Sequence, residues 1–163
     1  MPDTMSPEAV ATAWVEAAVA GDAAGLRSLF APDCRIFVAG DMPFCGWMDL
    51  DAFFAQTAVL PLDGPIVFEI GDTVAQGERV WFEAQSAAKL VGGADYRNIY
   101  IFQLQVRDGR IIEYKEFGDT LHVWRTIDDP RVRGEPIARQ PLLTNVTRRL
   151  VGNAIAGGSV HEA

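Results

Sequence analysis

The stretch that most constrains this chain is residues 96–119, Tyr-Arg-Asn-Ile-Tyr-Ile-Phe-Gln-Leu-Gln-Val-Arg-Asp-Gly-Arg-Ile-Ile-Glu-Tyr-Lys-Glu-Phe-Gly-Asp. Two runs rich in aromatic and β-branched residues flank Arg107-Asp108-Gly109, a strong hairpin signal. Strand side chains alternate between faces. One face of the first run therefore carries Tyr96, Asn98, Tyr100, Phe102 and Leu104; the other carries Arg97, Ile99, Ile101, Gln103 and Gln105. Carboxylates and phenols set among large apolar groups are what a small enclosed site needs, so the hairpin predicts a pocket.

The turn decides which residues of the second run share it. A two-residue loop at Asp108-Gly109 would put Glu116 on the face of Ile101. A three-residue loop, a type I turn with Gly109 left-handed and a bulge, would put Glu116 with Asn98 and Tyr100. The second reading is favoured, because it gathers Asn98, Tyr100, Phe102, Tyr114 and Glu116 on one face and leaves Glu113 and Lys115 on the other. A one-residue slip would exchange the two sets.

A chain of 163 residues is most simply one domain. The net charge of −8 is dispersed and opposes binding to nucleic acid or anionic membrane. No run approaches the roughly 20 apolar residues of a membrane span, and residues 1–10 lack the pattern of a secretory signal. Cys34 and Cys45 are too few for a disulfide framework, and with two histidines they make a poor metal set. The reading is a cytoplasmic protein with reduced thiols and no metal.

Ser6-Pro7-Glu8 opens a first helix, with Ser6 as N-cap and Pro7 at the first helical position. Its stripe includes Val10, Trp14, Ala17 and Ala18, and Gly21-Asp22 ends it. A short helix over Ala23 to Phe30, a turn at Ala31-Pro32-Asp33, a strand from Cys34 to Val38 and a third helix to about Leu60, anchored by Phe53, Phe54 and Val59, follow. From residue 65 the period changes to that of strands. Ile66 to Ile70 and Val80 to Ala88 precede the central hairpin. Helices followed by a run of antiparallel strands predict an α+β fold, a curved antiparallel sheet wrapped on N-terminal helices with an internal pocket. Residues 1–125 form this domain. Residues 126–163 are read as a partly helical extension, with a helix over Thr144 to Ile155 and a frayed tail.

The order and spacing of several short motifs are familiar. They are Gly21-Asp22, Leu29-Phe30-Ala31-Pro32-Asp33, Gly77-Glu78-Arg79-Val80, Tyr96-x-Asn98-x-Tyr100, Asp108-Gly109-Arg110-Ile111 and Glu116-Phe117-Gly118-Asp119-Thr120. Together they resemble the SnoaL-like branch of the nuclear-transport-factor-2-like (NTF2-like) superfamily, over roughly residues 6–125. The resemblance implies a cone-shaped α+β barrel, a homodimer, and a cofactor-free small-molecule enzyme such as a polyketide cyclase, ketosteroid isomerase or limonene-epoxide hydrolase. Carried over by position, the epoxide hydrolases' basic Asp falls on Glu116, their acidic Asp on Glu83 and their Arg on Trp81. Their water-holding Tyr and Asn fall on Ile36 and Val38, so epoxide hydrolysis is not implied. The isomerases' base falls near Phe37 or Val38 and their oxyanion-hole Asp near Phe102, so that apparatus is missing too.

Two enclosed carboxyls cannot both ionise cheaply, so a Glu83–Glu116 pair would set an acid beside a base. The expected catalytic set is Glu116 as base, Glu83 as acid and Asn98 as a polarising donor. The expected substrate-binding set is Trp14, Trp81, Tyr96, Tyr100, Tyr114 and Phe102. The plainer reading makes the carboxyls hydrogen-bonded or exposed strand residues and the aromatics plain core. Asp119 reads as a turn or cap, and His122 as a lone histidine just past the sheet. The expected partner is a small apolar oxygenated molecule, and the reaction a cyclisation, isomerisation, dehydration or hydrolysis. The alternative is a non-catalytic ligand-binding or accessory protein with the same pocket.

Overall fold

A computed structural model describes residues 4–57, 61–128 and 147–153. Ser6 caps α1 (Pro7–Ala20) by accepting the Ala9 N–H, and Gly21 ends it in the left-handed conformation. Val10, Trp14, Val15 and Val19 recur at helical spacing and are buried. Asp22 caps α2 (Ala23–Ser28), which stops short of the expected Phe30. Phe30 begins β1 (Phe30–Val38), which takes in the expected Ala31-Pro32-Asp33 turn. The irregular pairing of β1 between Phe30 and Arg35 absorbs Pro32, which has no N–H to donate. β2 (Gly46–Met48) is a short strand within the segment expected to be a loop. Then come α3 (Leu50–Thr57), β3 (Pro65–Gln76), β4 (Arg79–Lys89), β5 (Asp95–Arg107) and β6 (Arg110–Gly118). Val59, a predicted anchor of the third helix, lies outside the described residues. A short α4 (Thr120–Val123) runs into a π-helical turn, Trp124–Asp128.

The fold is α+β: a curved sheet of seven strands wraps α1, in the order β2-β1-β6-β5-β4-β3-β7. The sheet is mixed rather than wholly antiparallel, because β1 lies parallel to β6. Parallel neighbours need a long crossover, and here β2, α3 and the meander β3–β5 supply it. The last strand, β7 (Arg148–Asn153), pairs antiparallel with β3. This corrects the helix expected over Thr144 to Ile155; residues 144–146 and 154–155 lie outside the described residues. Leu150 and Val151 suit a helical face, but in the strand Leu150 packs against the core while Val151 is 59% exposed. A short apolar run fits either period.

The β5–β6 turn has two residues, since Arg107 pairs with Arg110. Asp108 and Gly109 both have positive φ, 52° and 73°, as a type I′ turn requires. The expected three-residue loop is therefore corrected. One pair beyond the turn, Val106 faces Ile111 but Gln105 faces Glu113, so Ile112 is an extra bulged residue. The bulge shifts the register by one and sets Glu116 opposite Phe102. Glu116 therefore shares a face with Tyr100 and Phe102, as expected, through a different device.

Candidate active site

The concave side of the sheet encloses a cavity of about 300 Å³. Its walls come from α1 (Trp14, Ala18), α3 (Phe53, Gln56, Thr57), the inward residues of β3, β5 and β6, and the α4 segment (Thr120, Val123, Ile127). Trp14 packs its ring 5.0 Å from Phe102 and 5.5 Å from Tyr114, centroid to centroid. Tyr100 stacks on Phe102 at 5.0 Å. The loop between β1 and β2 adds Phe44. That loop closes against α4 at Gly40, where a Cβ would lie 2.4 Å from the Thr120 hydroxyl oxygen.

Besides Gln56, Thr57 and Thr120, two hydrogen-bonded polar centres interrupt this largely apolar lining. The first is Glu116, whose Oε2 accepts a hydrogen bond from the Tyr114 hydroxyl at 2.8 Å. Burial pushes the Glu116 carboxyl up from its ordinary 4.5, against the opposing pull of Tyr114. Burial likewise holds the Tyr114 phenol well above its ordinary value, with the Glu116 charge adding to it. Tyr114 therefore donates to Glu116 and does not ionise.

The second centre is a chain of hydroxyls. Tyr96 Oη and Tyr100 Oη lie 3.0 Å apart, and Ser86 Oγ is 3.3 Å from Tyr100 Oη. Asn98 Nδ2 donates to the Tyr96 oxygen at 3.3 Å, and Asn98 Oδ1 accepts the Ile99 N–H at 2.9 Å. Burial first, then neighbouring Tyr96 and Glu116, pushes the Tyr100 phenol well up. It too stays protonated and can donate.

Of the expected residues, Trp14, Tyr96, Tyr100, Phe102, Tyr114 and Glu116 line the cavity. Asn98 is 2% exposed and is not in the wall; it stands behind Tyr96 and fixes it. Glu83 and Trp81 require correction. Glu83 pairs with Ile101 and Trp81 with Gln103, and directly paired residues share a face. Both therefore project from the outer side of the sheet, where Trp81 is 42% exposed. The inward set of β4 is Val80, Phe82, Ala84 and Ser86, all buried, since the apolar members of the strand seek the core. No Glu83–Glu116 pair forms, and burial alone accounts for the raised Glu116.

Ser86, Phe68, Gln56, Thr57 and Thr120 were not among the expected site residues. Ser86 was within reach: it continues the period-two series Val80, Phe82, Ala84. Gln56 and Thr120 sit where chain segments far apart in sequence converge, and no local pattern marks them.

Trp14 carries an indole N–H that is buried with no hydrogen-bond partner among the described residues. His122 is 3% exposed and stacks on Tyr96 at 5.7 Å. Its Nε2 accepts the Arg97 N–H at 3.4 Å, and Thr126 Oγ1 is 3.3 Å from Nδ1. His122 thus braces Tyr96 from outside the cavity wall. Asp119 caps α4 by accepting the His122 N–H at 2.8 Å. Among the described residues no cluster of His, Cys, Asp and Glu could hold a metal ion. No described helix is long and apolar enough to cross a membrane.

Comparison with known proteins bears on this cavity-bearing sheet. The family model for the SnoaL-like domain matches residues 11–114, more than half of the chain. The chain belongs to the SnoaL-like domain family. That span runs from α1 to Tyr114 and contains the hydroxyl chain of the SnoaL-like cavity. No curated protein matches the sequence. Among solved structures, an NTF2-like protein from Burkholderia xenovorans LB400 is 24% identical, with a TM-score of 0.61 over 77% of this chain and 98% of that one. IdmH from Streptomyces antibioticus, a proposed polyketide cyclase, is 24% identical, with a TM-score of 0.60 over 72% of this chain and 95% of its own. TerC, crystallised with polyporic acid, is 18% identical, with a TM-score of 0.61 over 72% and 94%. At these identities the likeness establishes the NTF2-like fold.

Proposed function

We propose that this SnoaL-like protein is an enzyme that moves protons on an apolar, oxygenated small molecule without a cofactor. One observation carries the reading: a lone carboxyl, Glu116, shares an apolar cavity with the hydrogen-bonded phenols Tyr96 and Tyr100. Tyr114 holds one oxygen of Glu116, and the other makes no hydrogen bond among the described residues. That oxygen takes a proton from a carbon next to a carbonyl. The Tyr96–Tyr100 pair donates to the carbonyl oxygen as negative charge develops there, and Glu116 returns the proton elsewhere on the substrate. Enolisation of this kind serves an isomerisation, a dehydration or an aldol-type cyclisation. Asn98 acts through Tyr96.

The test is to incubate the protein with a panel of cyclic ketones in D2O and follow loss of the α-proton signal by NMR. Exchange that is accelerated by the native protein and lost in Glu116→Gln supports the reading. Exchange retained in Glu116→Gln removes Glu116 as the base.

A second reading is a ligand-binding module without turnover. The outward position of Glu83 favours it, because among the described residues lining the cavity no second carboxyl serves as a separate acid. It predicts that Glu116→Gln leaves the affinity for a neutral ligand unchanged and that no exchange is found. We further propose a homodimer formed through the outer sheet face, where Trp47, Trp81 and Phe117 are 49%, 42% and 39% exposed. A monomer by light scattering would overturn it. The free thiols Cys34 and Cys45 suit the cytoplasm.

A further inference from the structure

The cavity has a charge character that proton transfer to a neutral ketone does not use. Among the described residues lining it there is one acidic side chain, Glu116, and no lysine, arginine or histidine. Around that carboxyl stand aromatic rings. Phe102 is its cross-strand partner, and Tyr114 lies two residues back on the same face. Trp14 packs on both, and Tyr100 stacks on Phe102. Ring faces are negative, and a cation beside them is attracted through the ring quadrupole. A carboxylate among such faces lacks a counter-charge, while a carboxylate ligand would meet a like charge in a medium that screens poorly. Apart from the tyrosine hydroxyls, Gln56, Thr57 and Thr120 the lining is apolar, so the ligand must bring its own hydrophobic body.

We propose that this cavity is a binding site for lipophilic ammonium compounds, with the cation seated between the Glu116 carboxylate and the rings of Trp14, Tyr100, Phe102 and Tyr114. The apolar body of the ligand lies along Leu26, Ile66 and Phe68. Binding needs no bond to be made or broken, so it stands or falls separately from the proposed proton transfer. An ammonium compound seated there occupies the free oxygen of Glu116 and blocks any neutral ligand from it. The cavity thus ranks ligands of one shape by charge: ammonium first, neutral next, carboxylate last.

The test uses three probes of one shape: 2-(aminomethyl)naphthalene, 2-(hydroxymethyl)naphthalene and 2-naphthoic acid, titrated calorimetrically at pH 7.5. The amine is expected to bind at least about tenfold more tightly than the alcohol, with the acid weakest. Glu116→Gln is expected to bring amine and alcohol within about threefold, chiefly by weakening the amine. Glu83→Gln removes the same charge from the outer face and is expected to keep the order, which separates the cavity from the overall charge of −8. The buried pair is also expected to survive a rise in salt that weakens surface-bound cations. Should Glu116→Gln fail to fold, displacement of the alcohol by the amine in the native protein gives the same order. An alcohol that binds as tightly as the amine overturns the proposal. So does an amine preference kept in Glu116→Gln or lost in Glu83→Gln, and so does a native protein that binds none of the three.

Discussion

Tyr114 Oη donates to Glu116 Oε2 across 2.8 Å, from two residues back on the same strand face. Tyr114 is 1% exposed, so this donor is held by the core and not by solvent. The bond favours the ionised carboxylate while burial disfavours it, and burial prevails. Tyr114→Phe should therefore push the Glu116 carboxyl still further up. Stability should change by only about 1 kcal/mol, since one hydrogen bond is lost and the ring is kept. An NMR titration of the Glu116 carboxyl carbon checks the direction. A titration that stays in place or moves down would show that the bond does not hold the charge.

The raised Glu116 also links folding to pH. The folded protein keeps this proton to a higher pH than the unfolded chain, which releases it near the ordinary 4.5. Stability contributed by the protonated group is full below that value. It is lost as pH rises through the folded value, because the unfolded state then binds fewer protons. Glu116→Gln has no proton to lose. The urea midpoint of the variant should gain on the native protein as pH climbs from 4 towards 8; a constant difference would refute the linkage.

The two faces of β4 should respond differently. Glu83→Gln, on the outer face, should change stability by less than about 0.5 kcal/mol and leave binding in the cavity intact. Ser86→Ala, on the inner face, removes one of two hydroxyl partners of Tyr100 and should cost about 1 kcal/mol. It should also alter the affinity of any ligand that engages the phenol pair. Paired urea melts and ligand titrations separate the outcomes, and a Glu83 effect on binding would contradict the register.

Gly40 has φ +134°, and a Cβ there would meet Thr120 Oγ1 at 2.4 Å and Cys45 Sγ at 2.9 Å. Gly40→Ala should cost roughly 1–3 kcal/mol. Adding Thr120→Ala should recover only part of this, because the Cys45 contact and the backbone strain persist. A double variant restored to native stability, measured by urea unfolding, would mean that the strain is negligible.

Much of this organisation was legible because it rests on period and punctuation. The caps at Ser6 and Gly21, the burial of Trp14 and the hairpin at Asp108-Gly109 follow from local rules. Glu116 faces inward as the alternation predicts, although a two-residue turn and a bulge, not a three-residue loop, put it there. Its true device, the bulge at Ile112, leaves only a faint trace: the adjacent Ile111-Ile112 interrupts the alternation. Glu83 was misplaced because a positional likeness outweighed the apolar series beside it. Val80, Phe82 and Ala84 had the stronger claim to the core. The few residues of β7 fit the helical period as well as that of a strand. What selects the strand is the open edge of β3, which lies far away in sequence.

That distance has a temporal consequence. Thr147, which leads into β7, hydrogen-bonds the Ile70 carbonyl across a separation of 77 residues. During synthesis, β3 therefore leaves the ribosome long before the strand that covers its edge. At about 5–20 residues per second the interval is roughly 4–15 s. Throughout it, the half-made protein displays a bare strand beside Ile66 and Phe68, and both β4 and β5 must emerge before the sheet holds together. Nascent chains exposing such an edge are what holdase chaperones bind.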